Sequence, residues 1–592
     1  MKSLGLYFGA CASAAISDNG KIIFASSEER FSRIKSDETF PTQTIDNALS
    51  FCNMTSQDLD KVLVAGTQIP LLSQLVRNWS SFSVKDHYIS MKKFWRPKLN
   101  GEPHPKFMEL FNSKIRNDKF PFNKEISGID KFDYDDFSNN SVEYLTNVIK
   151  KSIMEYLNIG EEKILFLDHH SCHAAYGLYS SPIRDDNTLI FTADAHGDGL
   201  SGTISKYDQL EKKIERLKFY PTKDFQLGRM YRYTTLLLGM LPEHHEYKVM
   251  GLAPYYDGPV VKDVEKIYQD MQSLSGLDFK FNSEIKNIFD YLEEHLDTFR
   301  FDHIAAGLQS FTENILYEWM DNAVNHFDST SVVFSGGISM NVKANMKLSN
   351  IPKIKKFFVP GGGGDLSLCM GSCYLFSESK DEIPQSLENL YLGLPCKYTA
   401  NDLSKINSHK IHEYTSEDQI VQRLLDGKII ATCLGRSEMG PRALCNRSII
   451  ADPRNRDNIQ KINRKIKNRD FWMPFAPVII DKYQNELISN PKNLEMPHMT
   501  IAMETHDGQK SMPAAVHQYD ETARPLILTK NTNQKVWNVI NLFYKKTGIP
   551  ALVNTSFNLH GEPIVDSFND ALHVFNNSGL DTLWLDNHVI DK

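Results

Sequence analysis

Three histidines fall within five positions of the stretch DHHSCHAAYG, residues 168–177. If this stretch is helical, His169 and His173 stand one turn apart on the same face, while His170 points away from them. Two histidines at this spacing are a frequent metal-chelating pair. Capping and packing histidines share the spacing, so the pattern alone leaves both interpretations open. Asp168 precedes the run and is suited to cap the helix.

Two aspartates elsewhere in the chain add candidate metal ligands. Asp194 and Asp365 each follow an apolar run, in TADAHGDG and GGGGDLS. A buried carboxylate at the end of a strand is costly unless it is paired or binds a cation. Together with His169 and His173 these residues would form a nitrogen and oxygen donor set with open positions. Such a set suits a divalent transition metal such as Fe(II), Mn(II) or Zn(II).

Glycine clusters and arginines indicate an anion-binding function. The clusters SGG (335–337) and GGGG (361–364) let a backbone approach a ligand and offer amide donors. The segment LGRSEMGPRALCNRSI (434–449) places arginines among small polar residues, which suits phosphate binding, although a surface ion-pair network would have the same composition. The predicted nucleotide and phosphate ligands are Gly336, Gly337, Asn341, Gly362, Gly363, Arg436, Arg442, Arg447, Arg524, Asn554 and Ser556.

Short apolar runs are predicted to position these residues. The runs KILFLDHH (163–170), TLIFTADAHGDG (188–199), SVVFSGGISMN (331–341) and KKFFVPGGGGD (355–365) are typical of buried parallel strands, whose carboxyl ends collect ligands. The N-terminus has a faint resemblance to a signal peptide. We interpret it instead as strands with a DNG turn between ASAAIS and KIIFASSEE.

Length and composition predict a multidomain protein of the cytoplasm. A chain of 592 residues exceeds the size of one hydrophobic core, so at least two domains are expected. The net charge of -8 argues against nucleic-acid binding, and no apolar run is long enough to span a membrane. Eight scattered cysteines without a CxxC pair argue against a disulfide framework and favour a reducing compartment. No internal repeat is evident.

The predicted domain boundaries follow from changes in amino-acid composition along the chain. Residues 1–380 form the first predicted domain, 381–400 a charged, proline-containing linker, and 401–592 a second α/β domain with strands at 428–435 and 549–557. The stretch from about 70 to 140 is rich in lysine, arginine, tryptophan and phenylalanine and has no clear period. It is either an insertion that helps to select a substrate or a surface elaboration.

Taken together, these motifs resemble the ATP-dependent O-carbamoyltransferases of antibiotic and nodulation-factor biosynthesis, the NodU/CmcH type. The resemblance covers nearly the whole chain and implies an α/β protein with an N-terminal duplicated domain of the actin/hexokinase (ASKHA) type and a C-terminal YrdC-like domain. The motifs that carry it are EERFSRIKSDETFP (28–41), HHSCHAAYG, DAHGDG, YKVMGLAPY (247–255), FSGGISMNVKAN (334–345), GRSEMGPRALCNRSI, MPFAP, DETARP and NTSFNLHGEPIV.

The resemblance also implies a reaction. The C-terminal domain would use carbamoyl phosphate and ATP, with Mg²⁺, to form carbamoyl adenylate, with Arg442 and Arg524 as catalytic residues. The N-terminal domain would then pass the carbamoyl group to a hydroxyl of a small molecule, a natural product or a sugar, at a metal that is commonly iron. The expected ligands of Fe(II) or another divalent metal are His169, His173, Asp194 and Asp365.

The sequence departs from the family pattern at two places. Ala10 and Cys11 stand where a His-Asp pair is usual, which removes a candidate base for the acceptor. Met473 stands where an arginine often precedes PFAP. His196 is the favoured replacement base because it lies on a strand-end loop, and His170 is the alternative.

Two other functions stay open at this stage. A sugar-kinase-like phosphotransferase would share the duplicated fold but would leave the arginine-rich domain without a role. A degenerate nucleotide-binding regulator is suggested by the change at Ala10 and Cys11. The expected partner is a small-molecule acceptor whose identity the sequence does not specify, and the sequence is compatible with a homodimer.

Overall fold

The structure is a computed structural model that describes residues 1–68, 82–111, 139–406, 409–467 and 469–592. Two five-stranded sheets form the N-terminal half, and one eight-stranded sheet forms the C-terminal half. This arrangement confirms the α/β class. No described helix has both the length and the apolar character that crossing a lipid bilayer requires.

The first sheet begins with the predicted hairpin. Its strands are β1 (Lys2–Tyr7), β2 (Ser13–Asp18), β3 (Lys21–Ser27), β4 (Lys61–Ala65) and β5 (Ile164–Leu167), in the order β3-β2-β1-β4-β5. The first three strands are antiparallel neighbours, and β4 and β5 add in parallel to β1. Asn19 and Gly20 both have positive φ between β2 and β3, as a tight turn of a twisted hairpin requires.

The second sheet repeats this topology. Its strands are β6 (Leu189–Gly197), β7 (Leu200–Asp208), β8 (Lys213–Pro221), β11 (Ser331–Ser335) and β12 (Lys356–Phe358), in the order β12-β11-β6-β7-β8. Again three antiparallel strands are followed by two that add in parallel. The two sheets therefore form a structural duplication that no sequence repeat reveals. A small hairpin, β9 (Gln272–Ser275) and β10 (Asp278–Phe281), lies between β8 and β11 in the chain.

The C-terminal sheet is mixed. Its order is β13-β20-β19-β14-β15-β18-β16-β17. The strands are β13 (Lys410–Glu413), β14 (Ile430–Cys433), β15 (Ser448–Ala451), β16 (Ala476–Ile480), β17 (Leu526–Leu528), β18 (Ala551–Ser556), β19 (Thr582–Leu585) and β20 (His588–Asp591). The strands expected at 428–435 and 549–557 correspond to β14 and β18. The YrdC-like assignment and the domain bounds stay predictions.

Helices cover the sheets on both halves. In chain order they are α1 (Glu29–Ser32), α2 (Thr42–Phe51), α3 (Val84–Ser90), α4 (Arg96–Leu99), α5 (Phe107–Phe111), α6 (Asn139–Leu157), α7 (His169–Ser180), α8 (Leu227–Leu237), α9 (Glu246–Leu252), α10 (Val260–Met271), α11 (Ile288–Leu296), α12 (Phe301–His326), α13 (Val342–Ser349), α14 (Leu368–Ser379), α15 (Ala400–Ser404), α16 (Glu417–Leu425), α17 (Asp457–Ile462), α18 (Gly508–Ser511), α19 (Gln534–Thr547) and α20 (Phe568–Asn576).

Part of the expected insertion at 70–140 lies within the described residues. Residues 82–111 carry α3, α4 and α5, with a π-helical turn at Met91–Trp95. Phe94 and Phe107 are buried there, and Arg96 pairs with Asp290 of α11 at 2.7 Å. Residues 69–81 and 112–138 lie outside the described residues, so a role in acceptor selection stays a prediction.

Two central helices link the sheets of the N-terminal half. Helix α14 packs on β1, β2 and β4, helix α7 packs on β6 and β11, and the two helices pack against each other. Their contact is close at Gly371, where a Cβ would lie 2.1 Å from the Cys172 carbonyl oxygen. Because α7 begins with the histidine run, this packing fixes where the histidines point.

Substituting Gly371 by alanine should therefore separate the two central helices. Overpacking of this kind costs about 1–3 kcal/mol, so the free energy of unfolding in a denaturant titration should fall by that amount. Ser379→Ala, at the exposed end of the same helix, is the matched control and should change little. Equal stability of Gly371→Ala and the wild type would contradict the proposed contact.

Candidate metal centre and anion site

Helix α7 begins directly after β5 and presents the histidine pair. Asp168 accepts a hydrogen bond from the Ser171 amide at 2.7 Å, so it caps the helix as expected. His169 and His173 are 5% and 0% exposed. The amide of His169 also donates to the Asp198 carboxylate at 2.8 Å, an anchor that the sequence analysis missed.

The four predicted metal ligands converge at one place. Each offers a donor atom, and all four atoms lie within 4.8 Å of one another. Nε2 of His173 lies 3.2 Å from Asp194 Oδ2 and 3.3 Å from Asp365 Oδ1, and Nε2 of His169 lies 3.6 Å from Asp365 Oδ1. Both histidine Nε2 atoms and Asp365 Oδ1 are buried without a hydrogen-bond partner. Orphaned donors aimed at a common point fit a divalent cation.

Neighbouring groups orient the two carboxylates. Asp194 Oδ2 accepts from the Gly337 amide at 2.9 Å, and Asp365 Oδ2 accepts from the Tyr7 hydroxyl at 2.5 Å. Burial alone would lower the pKa of His173, but the two carboxylates outweigh it and raise that pKa to about 9. The cluster therefore attracts positive charge, as a metal centre must. Tyr7 ends β1, so the strand-end argument could have identified it.

The two candidate bases lie in different environments. His170 is fully buried, and its Nδ1 lies 2.8 Å from the Thr192 hydroxyl. Burial lowers its pKa to about 3, so the ring is neutral. The ring packs against that of His169, with the centroids 5.2 Å apart, but none of its atoms belongs to the donor set. His196 is exposed as a residue, and its Nδ1 lies 3.1 Å from the Thr222 hydroxyl. Partial burial of the ring and then the charge of Arg229 lower its pKa to about 4, so this imidazole is also neutral at neutral pH. Of the two, only His196 is accessible to a ligand.

The position of the missing histidine offers no base. Cys11 lies between β1 and β2 and is partly buried. Burial, and then the negative charge of Asp365, raise the pKa of its thiol well above the usual range. The thiol therefore stays protonated at neutral pH.

The glycine loops approach one another and the metal ligands. Gly336, at φ 93°, donates to the Gly363 carbonyl at 2.8 Å. Gly362, at φ 66°, comes so close to the C-terminal half that its Cβ would lie 3.5 Å from the Gly440 Cα. Asn341 caps α13 by accepting from the Ala344 amide at 3.0 Å. Nucleotide binding by these residues stays a prediction.

Three arginines of the C-terminal half form what we call the arginine cluster, Arg442, Arg469 and Arg524. The Nε atoms of Arg442 and Arg524 are buried without a hydrogen-bond partner. Burial and then the charge of Arg469 lower the pKa of Arg442 to about 10, and burial and then the charges of Arg442 and Arg469 lower that of Arg524 well below its usual value. No described carboxylate forms an ion pair with Arg442 or Arg524. As whole residues the three arginines are half-buried. Cations that lack counter-charges and bury part of their guanidinium groups are typical of a site for an anionic ligand.

A buried lysine extends the arginine cluster. Lys467 is 5% exposed, and its Nζ donates to the Ser556 hydroxyl and the Asn558 carbonyl, each at 3.1 Å. Burial, and then the charges of Arg469 and Lys35, lower its pKa well below the usual value. The predicted ligand Ser556 is thus engaged with Lys467, while Asn554 donates to the Ala443 carbonyl at 2.9 Å. The sequence does not single out Lys467 and Arg469, because their basic segment resembles a solvated surface.

Arg436 and Arg447 have structural contacts instead of the predicted phosphate contacts. Arg447 is fully buried and donates only to backbone carbonyls, among them Asp566 O at 2.9 Å. Arg436 donates to Gly393 O and Ile23 O and stacks on the Phe51 ring at 4.6 Å. Arg436 joins the two halves through Ile23 O, while Arg447 joins segments within residues 394–566. We therefore revise their role from phosphate ligands to structural anchors.

Comparison with known families identifies the chain. The family model described as "Carbamoyltransferase N-terminus" matches residues 2–373, and the model described as "Carbamoyltransferase C-terminus" matches residues 421–592. The chain belongs to the carbamoyltransferase family. The resemblance inferred from the motifs is thereby confirmed.

Relatives of this carbamoyltransferase are of several kinds. An uncharacterized protein of Methanocaldococcus jannaschii is 30% identical over 77% of this chain and 92% of its own length. The nodulation protein NolNO of Sinorhizobium fredii is 28% identical over 98% of this chain and 78% of its own. The 3'-hydroxymethylcephem-O-carbamoyltransferase of Amycolatopsis lactamdurans is 26% identical over 45% of this chain and 50% of its own. Among solved structures, the activator of the 2-hydroxyisocaproyl-CoA dehydratase of Clostridium difficile is 13% identical, covers 64% of this chain and 95% of its own, and has a TM-score of 0.29.

Replacing His173 by alanine should remove bound metal from this carbamoyltransferase. A lost ligand should weaken binding by at least about 100-fold, since even supporting groups around a metal cost 10- to 100-fold. The measurement is metal content after loading with Fe(II), Mn(II) or Zn(II) and desalting. His196→Ala, which alters a nearby histidine outside the donor set, is the control and should retain metal. Full occupancy in His173→Ala would reject the assignment.

Proposed function

We propose that this chain is an ATP-dependent O-carbamoyltransferase that forms carbamoyl adenylate at the arginine cluster and carbamoylates a hydroxyl of a small molecule beside the metal ligands. The observation that carries the proposal is the arginine cluster, which has two buried, unpaired Nε atoms. Like charges repel when they are gathered and desolvated, so an anionic ligand is the partner that makes such a cluster stable. The triphosphate of ATP and the phosphate of carbamoyl phosphate would supply that partner.

The reaction balances in three steps. Water cleaves carbamoyl phosphate to carbamate and inorganic phosphate. A carbamate oxygen then attacks the α-phosphorus of ATP, the bond to the β-phosphate breaks, and pyrophosphate leaves. Finally the acceptor hydroxyl attacks the carbamoyl carbon, loses its proton, and AMP leaves. The first two steps concentrate negative charge on phosphate oxygens, which guanidinium groups stabilise. Arg469 can supply the charge that Met473 lacks, because both lie on the same segment.

The N-terminal half supplies the second site. His169, His173, Asp194 and Asp365 would hold a divalent metal such as Fe(II), which when bound polarises a carbonyl or lowers the pKa of a hydroxyl. Tyr7 keeps one Asp365 oxygen engaged, so the other oxygen faces the histidines. His196 is the accessible base for the acceptor proton in this proposal. The cephem relative is named for O-carbamoylation, which supports a hydroxyl as the acceptor group.

Product analysis separates this function from its alternatives. Release of pyrophosphate from ATP that depends on carbamoyl phosphate supports carbamoyl transfer. Release of ADP in the presence of a sugar supports a kinase. If neither pyrophosphate nor ADP is released, the result supports a regulator. The arginine cluster favours the release of pyrophosphate, because a sugar-kinase reaction would not use this cluster in the C-terminal half.

Loss of an arginine from the cluster should slow pyrophosphate release without an acceptor present. A charge-assisted phosphate contact is worth about 1.5–3 kcal/mol, so Arg442→Ala and Arg524→Ala should each cost about 10- to 100-fold in kcat/KM. The matched control is Arg423→Gln, which changes an arginine of the same half that is already paired with Asp591 at 2.6 Å. Unchanged release in both cluster variants would remove the arginine cluster from the mechanism.

Removing the proposed acceptor base should separate the two reactions. His196→Ala should keep pyrophosphate release and metal content, yet lose carbamoylation by about 10²- to 10⁴-fold, the usual worth of a positioned base. Carbamoylated products are detected by a mass increase in a screen of hydroxylated metabolites. If transfer survives in His196→Ala and fails in His170→Ala with metal retained, the base is His170.

A further inference from the structure

The arginine cluster is built in the C-terminal half, but residues of the N-terminal half hold its loops. We propose that Arg30, Lys248 and Lys343 are positioning residues, called here the clamp residues, that gather the arginine cluster from the other half of the chain. The proposal rests on the anion-binding role assigned to that cluster. Each clamp residue contacts the segment of a different arginine.

Arg30 holds the loop of Arg442. It belongs to α1 and is 2% exposed. Its Nη2 donates to the carbonyl oxygens of Glu438 at 3.2 Å and Gly440 at 3.1 Å, and its Nη1 donates to Val565 O at 3.3 Å. Gly440 lies two residues before Arg442, so the guanidinium of Arg30 fixes the backbone from which Arg442 extends.

The same loop is closed internally by Glu438. Its Oε1 accepts from the amides of Leu444 and Asn446 at 2.8 Å and of Arg447 at 3.0 Å. The side chain of Glu438 thus shapes the loop, while Arg30 binds the carbonyl of the same residue. The loop is therefore a formed unit that Arg30 attaches to the N-terminal half.

Lys248 holds the segment of Arg469. It belongs to α9, and its Nζ lies 2.9 Å from Asp470 Oδ2. Its carbonyl accepts from the Trp472 indole at 3.1 Å. Arg469 directly precedes Asp470, so the segment is held at two points beside the arginine.

Lys343 holds the loop of Arg524. It belongs to α13, and its Nζ donates to Asp520 Oδ2 at 2.7 Å. The other oxygen of Asp520 accepts from the amide and the hydroxyl of Thr522 at 3.1 and 2.9 Å. Arg524 follows two residues later. The ion pair between Lys343 and Asp520 therefore positions Arg524 through a short, hydrogen-bonded turn.

Repulsion within the arginine cluster explains why such clamps are needed. The charge of Arg469 lowers the pKa of Arg442, and the charges of both lower the pKa of Arg524, so these guanidinium groups would separate if their loops were free. The clamp residues resist this separation through backbone and carboxylate contacts and neutralise none of the three arginines. The anion site is therefore complete only when the two halves are docked.

The test measures anion binding by the full-length chain. Arg30→Gln, Lys248→Gln and Lys343→Gln should each weaken the binding of pyrophosphate, followed by calorimetry, by about tenfold, since a misplacement of about 1 Å can cost up to 10²-fold. Lys343→Arg, which keeps the positive charge at this position, should bind pyrophosphate with most of the wild-type affinity. Lys353→Gln is the control, because it breaks an ion pair with Asp328 at 2.6 Å on the surface of the N-terminal half and should bind as the wild type does.

A double-mutant comparison separates positioning from general loss of structure. In the Arg442→Ala background, Arg30→Gln should cost at most about twofold more, because the group that it positions is gone. In the Arg524→Ala background, it should keep its full tenfold cost. Equal costs in the two backgrounds would overturn the proposal, and so would wild-type affinity in the three clamp variants.

Pyrophosphate binding also distinguishes this proposal from the proposed function. The wild type could bind pyrophosphate and yet not release it from ATP in the presence of carbamoyl phosphate. In that case the carbamoyl-adenylate mechanism fails, and the double-mutant comparison of pyrophosphate affinities still tests the positioning role of the clamp residues. If the wild type does not bind pyrophosphate, the anion site and the clamp residues are rejected together.

Discussion

Charge gathered without its counter-charge is the constraint on which the rest of this structure depends. The N-terminal half brings two carboxylates and two imidazoles within 4.8 Å, and the C-terminal half gathers three arginines. Arg442 and Arg524 have no carboxylate partner among the described residues, and the two carboxylates of the metal site face only the histidines between them. Both clusters therefore gain stability from a ligand of opposite sign. The surrounding structure must therefore hold these groups while the partner is absent. It does so mainly through backbone amides, helix starts and short hydrogen-bonded loops.

In the N-terminal half the duplicated architecture holds the four candidate metal ligands in place. Helices α7 and α14 lie between two sheets of the same topology and pack closely at Gly371. The histidines come from the first two turns of α7, Asp194 comes from β6, and Asp365 begins the 3₁₀ turn Asp365–Ser367 that leads into α14. The ligands thus come from rigid elements. Rigid support of this kind reduces the reorganisation needed when a ligand binds.

Much of this site followed from the sequence, because regular elements leave periodic signals. The spacing of His169 and His173 indicated one helical face, and the apolar runs before Asp194 and Asp365 indicated strand ends. Asp194 instead lies within β6, and Asp365 follows the end of β12 by seven residues. The family resemblance then linked residues almost 200 positions apart. Contacts over such separations are invisible to local patterns.

The remaining features depend on tertiary contacts that residue types do not encode. Arg442 and Arg447 are five residues apart in one motif, yet one has an unpaired buried Nε and the other donates to carbonyls throughout. Lys467 and Arg469 belong to a basic segment that would suit a solvated surface. The duplication left no repeat in the sequence, because the same strand order can be encoded by different apolar residues.

The approach of Gly362 to Gly440 has a consequence for how this protein can diverge. The two loops meet through main chain alone, since neither residue has a side chain to place between them. One loop leads to Asp365 and the other to Arg442, so the separation of the two chemical centres is set by loop length. Point substitutions around these loops can be absorbed by repacking. An inserted or deleted residue cannot, so loop length should vary less than loop sequence among proteins that keep both centres.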